Sequence, residues 1–209
     1  NPRNSLYDLS LNNGTLYIAV AGFHQLWTMD VAAGTVAPFA GDGGEDIVDG
    51  LKPEARLAQP YGVEVSNNAV FFIDSETSSV RVAGIADEGR VVTLVGTGLF
   101  DFGDHDAVGK ESLLQHPQGL AVHNDTIYIA DSYNNKIKSI AIGSLQVRSI
   151  AGSGKRGGAD GALNEAEFNE PAGLAVVGNR IFVADTNNHS IRIVDMESDE
   201  VFTLKLTGL

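Results

Sequence analysis

The 209-residue sequence contains no cysteine, which excludes a disulfide, a thiolate metal site and a cysteine nucleophile. Basic residues are scarce: 14 Lys and Arg stand against 27 Asp and Glu, for a net charge of −13. That average repels a phosphate backbone, so no nucleic acid partner is expected. The nearest basic cluster, Lys155-Arg156, is two residues long. No apolar run reaches the length of a membrane helix, so no membrane partner is expected either. Residues 1–5 lack a signal-peptide pattern. Sustained helical periodicity is missing along the whole chain. No motif names a compartment, and a soluble, cytoplasmic protein is the expectation.

What is present is repetition. Pro117-Gln118-Gly119-Leu120-Ala121-Val122 leads to Ile127-Tyr128-Ile129-Ala130-Asp131. Pro171-Ala172-Gly173-Leu174-Ala175-Val176 leads to Ile181-Phe182-Val183-Ala184-Asp185, and Pro60-Tyr61-Gly62-Val63 to Val70-Phe71-Phe72-Ile73-Asp74. Gly62 to Asp74, Gly119 to Asp131 and Gly173 to Asp185 are each 12 residues apart. Asp49 to Asp74, Asp106 to Asp131 and Asp160 to Asp185 are each 25 apart. Offsets held over three copies define a structural repeat. A first, degenerate copy aligns Leu16-Tyr17-Ile18-Ala19-Val20, with Val20 where Asp is expected and Asp8 where Gly is expected. Four units follow, roughly 1–43, 44–98, 99–154 and 155–209, with no linker between them.

Each unit holds four β runs bounded by turn residues; in the third they are 119–122, 126–130, 136–142 and 146–150. Asn12-Asn13-Gly14, Asn67-Asn68, Asn124-Asp125 and Gly178-Asn179 supply the positive φ of tight hairpins. Four-stranded meanders at fixed period predict an all-β fold, a β-propeller with one antiparallel blade per unit. With strands named a to d from the innermost, the b–c turns and the long d–a loops share one face. Loops on a rigid scaffold carry function, so that face is the first place to look for a site.

At Pro171–Val176 and at Phe182-Val183-Ala184-Asp185-Thr186-Asn187-Asn188-His189-Ser190-Ile191-Arg192 the sequence resembles the NHL repeat family. The resemblance spans essentially the whole chain. It implies a six-bladed propeller of which residues 1–209 supply four blades, the N-terminal blades lying outside. The likeness sharpens at Gly96–Asp104, Ala21–Gln25 and Asp74–Ser79, toward members in which a thioredoxin-like domain precedes the propeller. An open arc of four blades would leave two apolar faces uncovered. The expectation is therefore a fragment, or an arc closed by another chain.

The repeated aspartates Asp74, Asp131 and Asp185 close strand b and are read as structural turn residues, their carboxylates accepting amides of the b–c turn. Asp49, Asp106 and Asp160 follow the same logic. Asp101, Asp104 and Asp106 are spaced somewhat like a calcium loop, but lack the alternation and terminal Glu of one. Phe100 and Phe102 sit among these acids, as a docking patch or as a plug between blades. Of the five histidines, His24 and His189 fall at b–c turns and His105 in the long loop, with no local spacing for zinc. No G-x-S-x-G elbow occurs, and the glycines after Lys155-Arg156 precede no P-loop lysine. Candidate binding residues on the loop-rich face are thus Phe100, Asp101, Phe102, Asp104, His105, Tyr133, His24 and His189. No catalytic residue, metal site or cofactor is expected. The expected function is a non-catalytic scaffold for a protein or ligand. The resemblance implies a thioredoxin-like domain of the parent protein as partner. One alternative is a metal-dependent lyase or lactonase, which would need acids near the start of strand a, where only Asp8 is acidic. RNA binding, known for other family members, is disfavoured by the charge.

Overall fold

A computed structural model describes residues 5–86 and 88–207. Residues 1–4 and 208–209 of the outermost sequence units lie outside the described residues. The described chain forms a β-propeller's blades as four antiparallel sheets. Blade one comprises β1 (Leu6–Asn12), β2 (Thr15–Val20), β3 (Gln25–Asp30) and β4 (Val36–Ala40). Blade two comprises β5 (Gly50–Leu51), β6 (Pro60–Ser66), β7 (Ala69–Asp74), β8 (Ser79–Gly84) and β9 (Arg90–Val95). Blade three holds β10 (Gly119–His123), β11 (Thr126–Asp131), β12 (Lys136–Ala141) and β13 (Gln146–Ala151). Blade four holds β14 (Gly161–Ala162), β15 (Pro171–Val177), β16 (Arg180–Asp185), β17 (Ser190–Asp195) and β18 (Glu200–Thr203).

The a–b hairpins close where the sequence predicts. Asn13-Gly14, Asn67-Asn68 and Asn124-Asp125 all carry positive φ at both turn positions, the requirement of a tight two-residue connection between twisted strands. Two blades depart from the expected four strands. In blade two the d–a loop adds β5 beside β9, with Gly50 opposite Val91, and in blade four it adds β14 beside β18. The loop thus lies along the outer edge of the blade it leads into, and a two-residue strand is too short to show a period in sequence.

The chain separates into two compact units, Asn1–His116 and Pro117–Leu209. The long loop 99–116, assigned by repeat to blade three, belongs to the first unit. Within that unit Tyr17, Ala19 and Leu26 of blade one pack on Val63, Val70, Phe72 and Val91 of blade two, with Ala55 and Leu57 of the intervening loop between them. Within the second, Ala130 and Ile137 of blade three pack on Ile181, Val183, Val194 and Val201 of blade four, with Ala166 and Phe168 between. Burying these alternate strand positions removes apolar surface from water at roughly 25 cal/mol per Å². A blade holds its shape because its neighbour covers it.

Candidate functional site

The b–c turns and d–a loops are held by a buried polar cluster repeated between blades. In blade two, Asp74 closes β7 and is fully buried. Its Oδ1 accepts the Ala58 amide at 2.7 Å, and its Oδ2 meets Arg81 Nη1 at 2.8 Å. Arg81, also fully buried, donates onward to the Arg56 carbonyl at 2.6 Å, the Val48 carbonyl at 3.0 Å and Asp49 Oδ1 at 3.1 Å. Asp49 in turn accepts the amide and hydroxyl of Thr93 on β9, at 3.0 and 2.7 Å. Blade four repeats the set. Arg192 donates to Asp185 at 2.9 Å, to Asp160 at 2.8 Å and to the Glu167 and Ala159 carbonyls, and Thr203 donates to Asp160 at 2.9 Å. In blade three a lysine stands in, with Lys138 Nζ 3.2 Å from Asp131 Oδ2. Paired and multiply hydrogen-bonded is the condition under which such charges stay buried.

The partners differ from those expected of the aspartates. Asp74 binds an amide of the preceding d–a loop rather than one of the b–c turn, and Asp185 likewise takes Asn169 N–H at 2.8 Å. The turns contribute side chains instead: Asn134 Nδ2 to Asp131 at 2.8 Å and Asn188 Nδ2 to Asp185 at 2.7 Å. The cations Arg81, Lys138 and Arg192 were missed, although each stands seven residues after its aspartate. A bulge between Val80 and Arg81 in the β8–β9 ladder, matched between Ile137 and Lys138, shifts the register just at the cation, as bulges do where a side chain must be re-aimed.

Burial pushes the Asp74 carboxyl up to about 6, against the opposing pull of Arg81, the Ala58 amide and His24. Its ordinary value is 3.8. Between those values the folded chain binds the proton and the unfolded chain does not, so this group's contribution to stability falls as pH rises through that window. Four other aspartates lie below their ordinary range. Burial pushes Asp49 and Asp160 up, but the bonds from Thr93 with Arg81, and from Thr203 with Arg192, more than reverse it. Arg180 holds Asp195 down, and the Gly44 amide and Arg56 hold Asp42 down. Their contribution is complete above 3.8 and lost as pH falls through their folded values. In Asp74→Asn the decline in unfolding free energy between about pH 4 and pH 6 is expected to shrink to the part contributed by Asp8, whose carboxyl burial also raises, while the acid loss below it remains. Denaturant unfolding at a series of pH values checks this, and parallel profiles for variant and parent would contradict it.

The candidate binding residues fall in separate places. Phe100, Asp101, Phe102, Asp104 and His105 lie on one exposed loop of the first unit. Its ends are fixed: Thr97 Oγ1 donates to Asp101 at 2.8 Å, Gly103 N–H to the Leu114 carbonyl at 2.9 Å, and His105 pairs its backbone with Leu113. Phe100 is 87% exposed, so it plugs no gap. Phe102 is half exposed and leans toward the His116 ring, 6.3 Å between centroids. His24 is in the b–c turn of blade one, where its Nδ1 accepts the Gln59 amide at 3.3 Å beside a cavity of about 240 Å³. In the second unit Tyr133 is exposed on its turn, and His189 lines an open cavity of about 450 Å³.

Among the described residues no three His, Asp or Glu side chains are grouped to hold a metal ion. Asp8, the acid near the start of strand a, spends its carboxylate on two amides, Val63 N–H at 2.9 Å and Leu9 N–H at 2.8 Å. Desolvation pushes its pKa up against those two bonds. Among the described residues no helix is long and apolar enough to cross a membrane.

Comparison with known proteins matches the NHL repeat family at residues 114–138 and 168–194. The chain is 41% identical over 221 residues to Protein SUPPRESSOR OF QUENCHING 1, chloroplastic, of Arabidopsis thaliana, covering 99% of this chain and 21% of that protein. It is 36% identical over 217 residues to human NHL repeat-containing protein 2, covering 91% of this chain and 30% of that protein. It therefore spans a third or less of these relatives' length. A structure from Bacteroides thetaiotaomicron, of a protein of unknown function, superposes with a TM-score of 0.75 at 20% identity, over 91% of this chain and 47% of that one; at that identity the likeness is one of fold.

Proposed function

Because this chain is an NHL-repeat β-propeller, we propose that it is a non-catalytic scaffold that binds a protein partner through the loop at residues 100–106. The observation that carries this reading is Phe100, 87% exposed among Asp101, Asp104 and Asp106 on a loop with pinned ends. An exposed aromatic pair costs solubility unless something covers it, and aromatic anchors dominate binding energy at interfaces. The surrounding carboxylates would select a partner with basic groups and exclude acidic ones. The partner we propose is a thioredoxin-like domain of the parent protein, as in the family members this sequence resembles. Redox chemistry would then reside in that domain, since this chain has no cysteine. The lyase or lactonase reading is not preferred, because Asp8 is committed to backbone amides. The chloroplastic plant relative gives a plastid location the same standing as the cytoplasmic one.

The test replaces Phe100 and Phe102 together by alanine and measures affinity for a separately supplied thioredoxin-like domain by calorimetry. At about 1 kcal/mol or more for each lost anchor, affinity is expected to fall by at least about tenfold. The melting temperature should stay unchanged, since neither ring is buried. Unchanged affinity would remove this loop from the proposal.

A further inference from the structure

One bond, made three times, joins a b–c turn to the start of the next strand a. His24 Nδ1 accepts the Gln59 amide at 3.3 Å, Ser78 Oγ the His116 amide at 3.1 Å, and Asn135 Oδ1 the Glu170 amide at 3.1 Å. Gln59, His116 and Glu170 each precede a proline and each have positive φ, so they are the same step in three repeats. His24, Ser78 and Asn135 likewise share one place, the left-handed residue that ends the 3-10 turn after strand b.

Two residues before that end the repeats diverge. The position is Gly22 in blade one, Glu76 in blade two, Tyr133 in blade three and Asn187 in blade four. Gly22 and Glu76 are each the middle residue of their turns, Ala21–Phe23 and Ser75–Thr77. In blade two the Glu76 side chain reaches from the turn toward the step, its Oε2 4.0 Å from His116 Nε2. In blade one Gly22 has no side chain to make that reach. The turn and the step residue Gln59 there border the cavity of about 240 Å³, together with Ser5, Tyr7, Ala21 and His24. The cavity thus lies between the two parts of the repeat that Glu76 bridges in blade two.

Its walls carry donors and a ring. His24 Nδ1 is an acceptor for the Gln59 amide, so the proton of the neutral imidazole is on Nε2. The Gln59 side chain brings amide N–H groups and Tyr7 a hydroxyl. The Tyr7 ring is held against Tyr61, with 3.8 Å between centroids and 19° between planes, and is 46% exposed. None of the six lining residues is an acid. Asp8, next to Tyr7, already spends its carboxylate on the Val63 and Leu9 amides.

We propose that this cavity binds a small monocarboxylate. Its carboxylate takes the place that the Glu76 carboxylate has in blade two and accepts His24 Nε2–H and the Gln59 side-chain amide. Its short alkyl chain lies on Ala21 and the Tyr7 ring. Blade two shows which functional group fits between turn and step, and blade one supplies the donors without the acid. The volume is below that of a site for a drug-sized molecule, which limits the ligand to a few carbons. The site shares no residue with the 100–106 loop, so neither proposal falls with the other.

Titration of the 209-residue chain with propionate at constant pH and ionic strength tests it, read by NMR at the His24 ring and the Ala21 methyl group. Saturating shifts are expected, with a dissociation constant on the order of 1–10 mM, the scale open to an acid of five heavy atoms. Propionamide, of nearly the same shape but uncharged, should leave both signals in place. Gly22→Glu puts a tethered carboxylate in the cavity. Its His24 signals should start where propionate moves those of the unsubstituted chain, and propionate should then shift nothing. His24→Ser keeps the bond to Gln59 in the form Ser78 shows and should weaken propionate binding by about tenfold or more, as for a lost hydrogen bond to a charged group. Circular dichroism checks that both variants stay folded. Shifts that never saturate, equal shifts with propionamide, or unchanged binding in either variant would each overturn the proposal. So would N-acetyl-glutamate methylamide binding at least tenfold tighter than propionate, which would assign the cavity to an acidic side chain of a protein.

Discussion

Replacing Arg81 with alanine is expected to lower the free energy of unfolding by about 3–5 kcal/mol, the range for removing one partner of a buried ion pair. Arg81 and Asp74 are both fully buried. The substitution would leave Asp74 with the Ala58 amide alone, and would take one bond each from Asp49 and from the Arg56 and Val48 carbonyls, which keep only each other's amides. Arg81→Lys should cost less, because Lys138 makes the corresponding contact at 3.2 Å in blade three. It should still cost something, since an ammonium cannot reproduce the guanidinium fork that reaches two carboxylates and two carbonyls. A paired change, Asp74→Leu with Arg81→Met, should recover most of the loss, because the pair's desolvation offsets much of its attraction. Blade one already exists in that form, with Val20 and Trp27 in the two places. Urea unfolding measures all three, and a loss below about 1 kcal/mol for Arg81→Ala would mean that water enters the cluster and solvates what is left behind.

Gly119→Ala is expected to destabilise the second unit by about 3 kcal/mol, the upper end for overpacking. A β-carbon on Gly119 would run into the Ala172 carbonyl oxygen, with the Ala172 carbonyl carbon at 2.8 Å and the Gly173 Cα at 3.4 Å. All three obstacles are backbone, so no rotamer change relieves them. Here strand a of blade three passes directly against strand a of blade four. Gly173 holds the same position in the next repeat, yet a β-carbon there would meet only the Ala184 Cβ at an ordinary 3.7 Å. Gly173→Ala should therefore fall within about 0.5 kcal/mol of the parent. Thermal unfolding of the two variants checks the contrast, and equal losses would contradict it.

The strands and their hairpins were legible because two features repeat on different scales. Alternation within Ile127-Tyr128-Ile129-Ala130 names a strand, and Asn-Gly or Asn-Asn pairs name the turn before it. The 12- and 25-residue offsets then name the blade. The polar cluster was half legible. Its aspartates stood out, but the cations did not, because two are arginine and one is lysine and the first unit has a tryptophan. Strands β5 and β14 were invisible, since two residues carry no periodicity. The bonds from the b–c turns to the residue before the next proline were hidden for another reason. His24, Ser78 and Asn135 share no composition, only positive φ and a side-chain acceptor, and each accepts an amide 35 or 38 residues away. For the candidate site, sequence placed the aromatics on a loop and leaned toward a plug over a docking patch; the exposure of Phe100 speaks against the plug.

Those same bonds govern where the chain is free to vary. A long loop pinned at both ends, by the turn behind it and by the residue before the next proline, contributes to the scaffold only through its ends. Its middle can lengthen or change composition without moving a strand, and the chain contains the demonstration. The segment from Ser78 to His116 is three residues longer than its two counterparts, and two of the three fall between Gly96 and Asp106, where the exposed phenylalanines are. The repeat is in that sense a device for separating inheritance from invention, with the blade copied and the span between two pegs left open to acquire a binding surface.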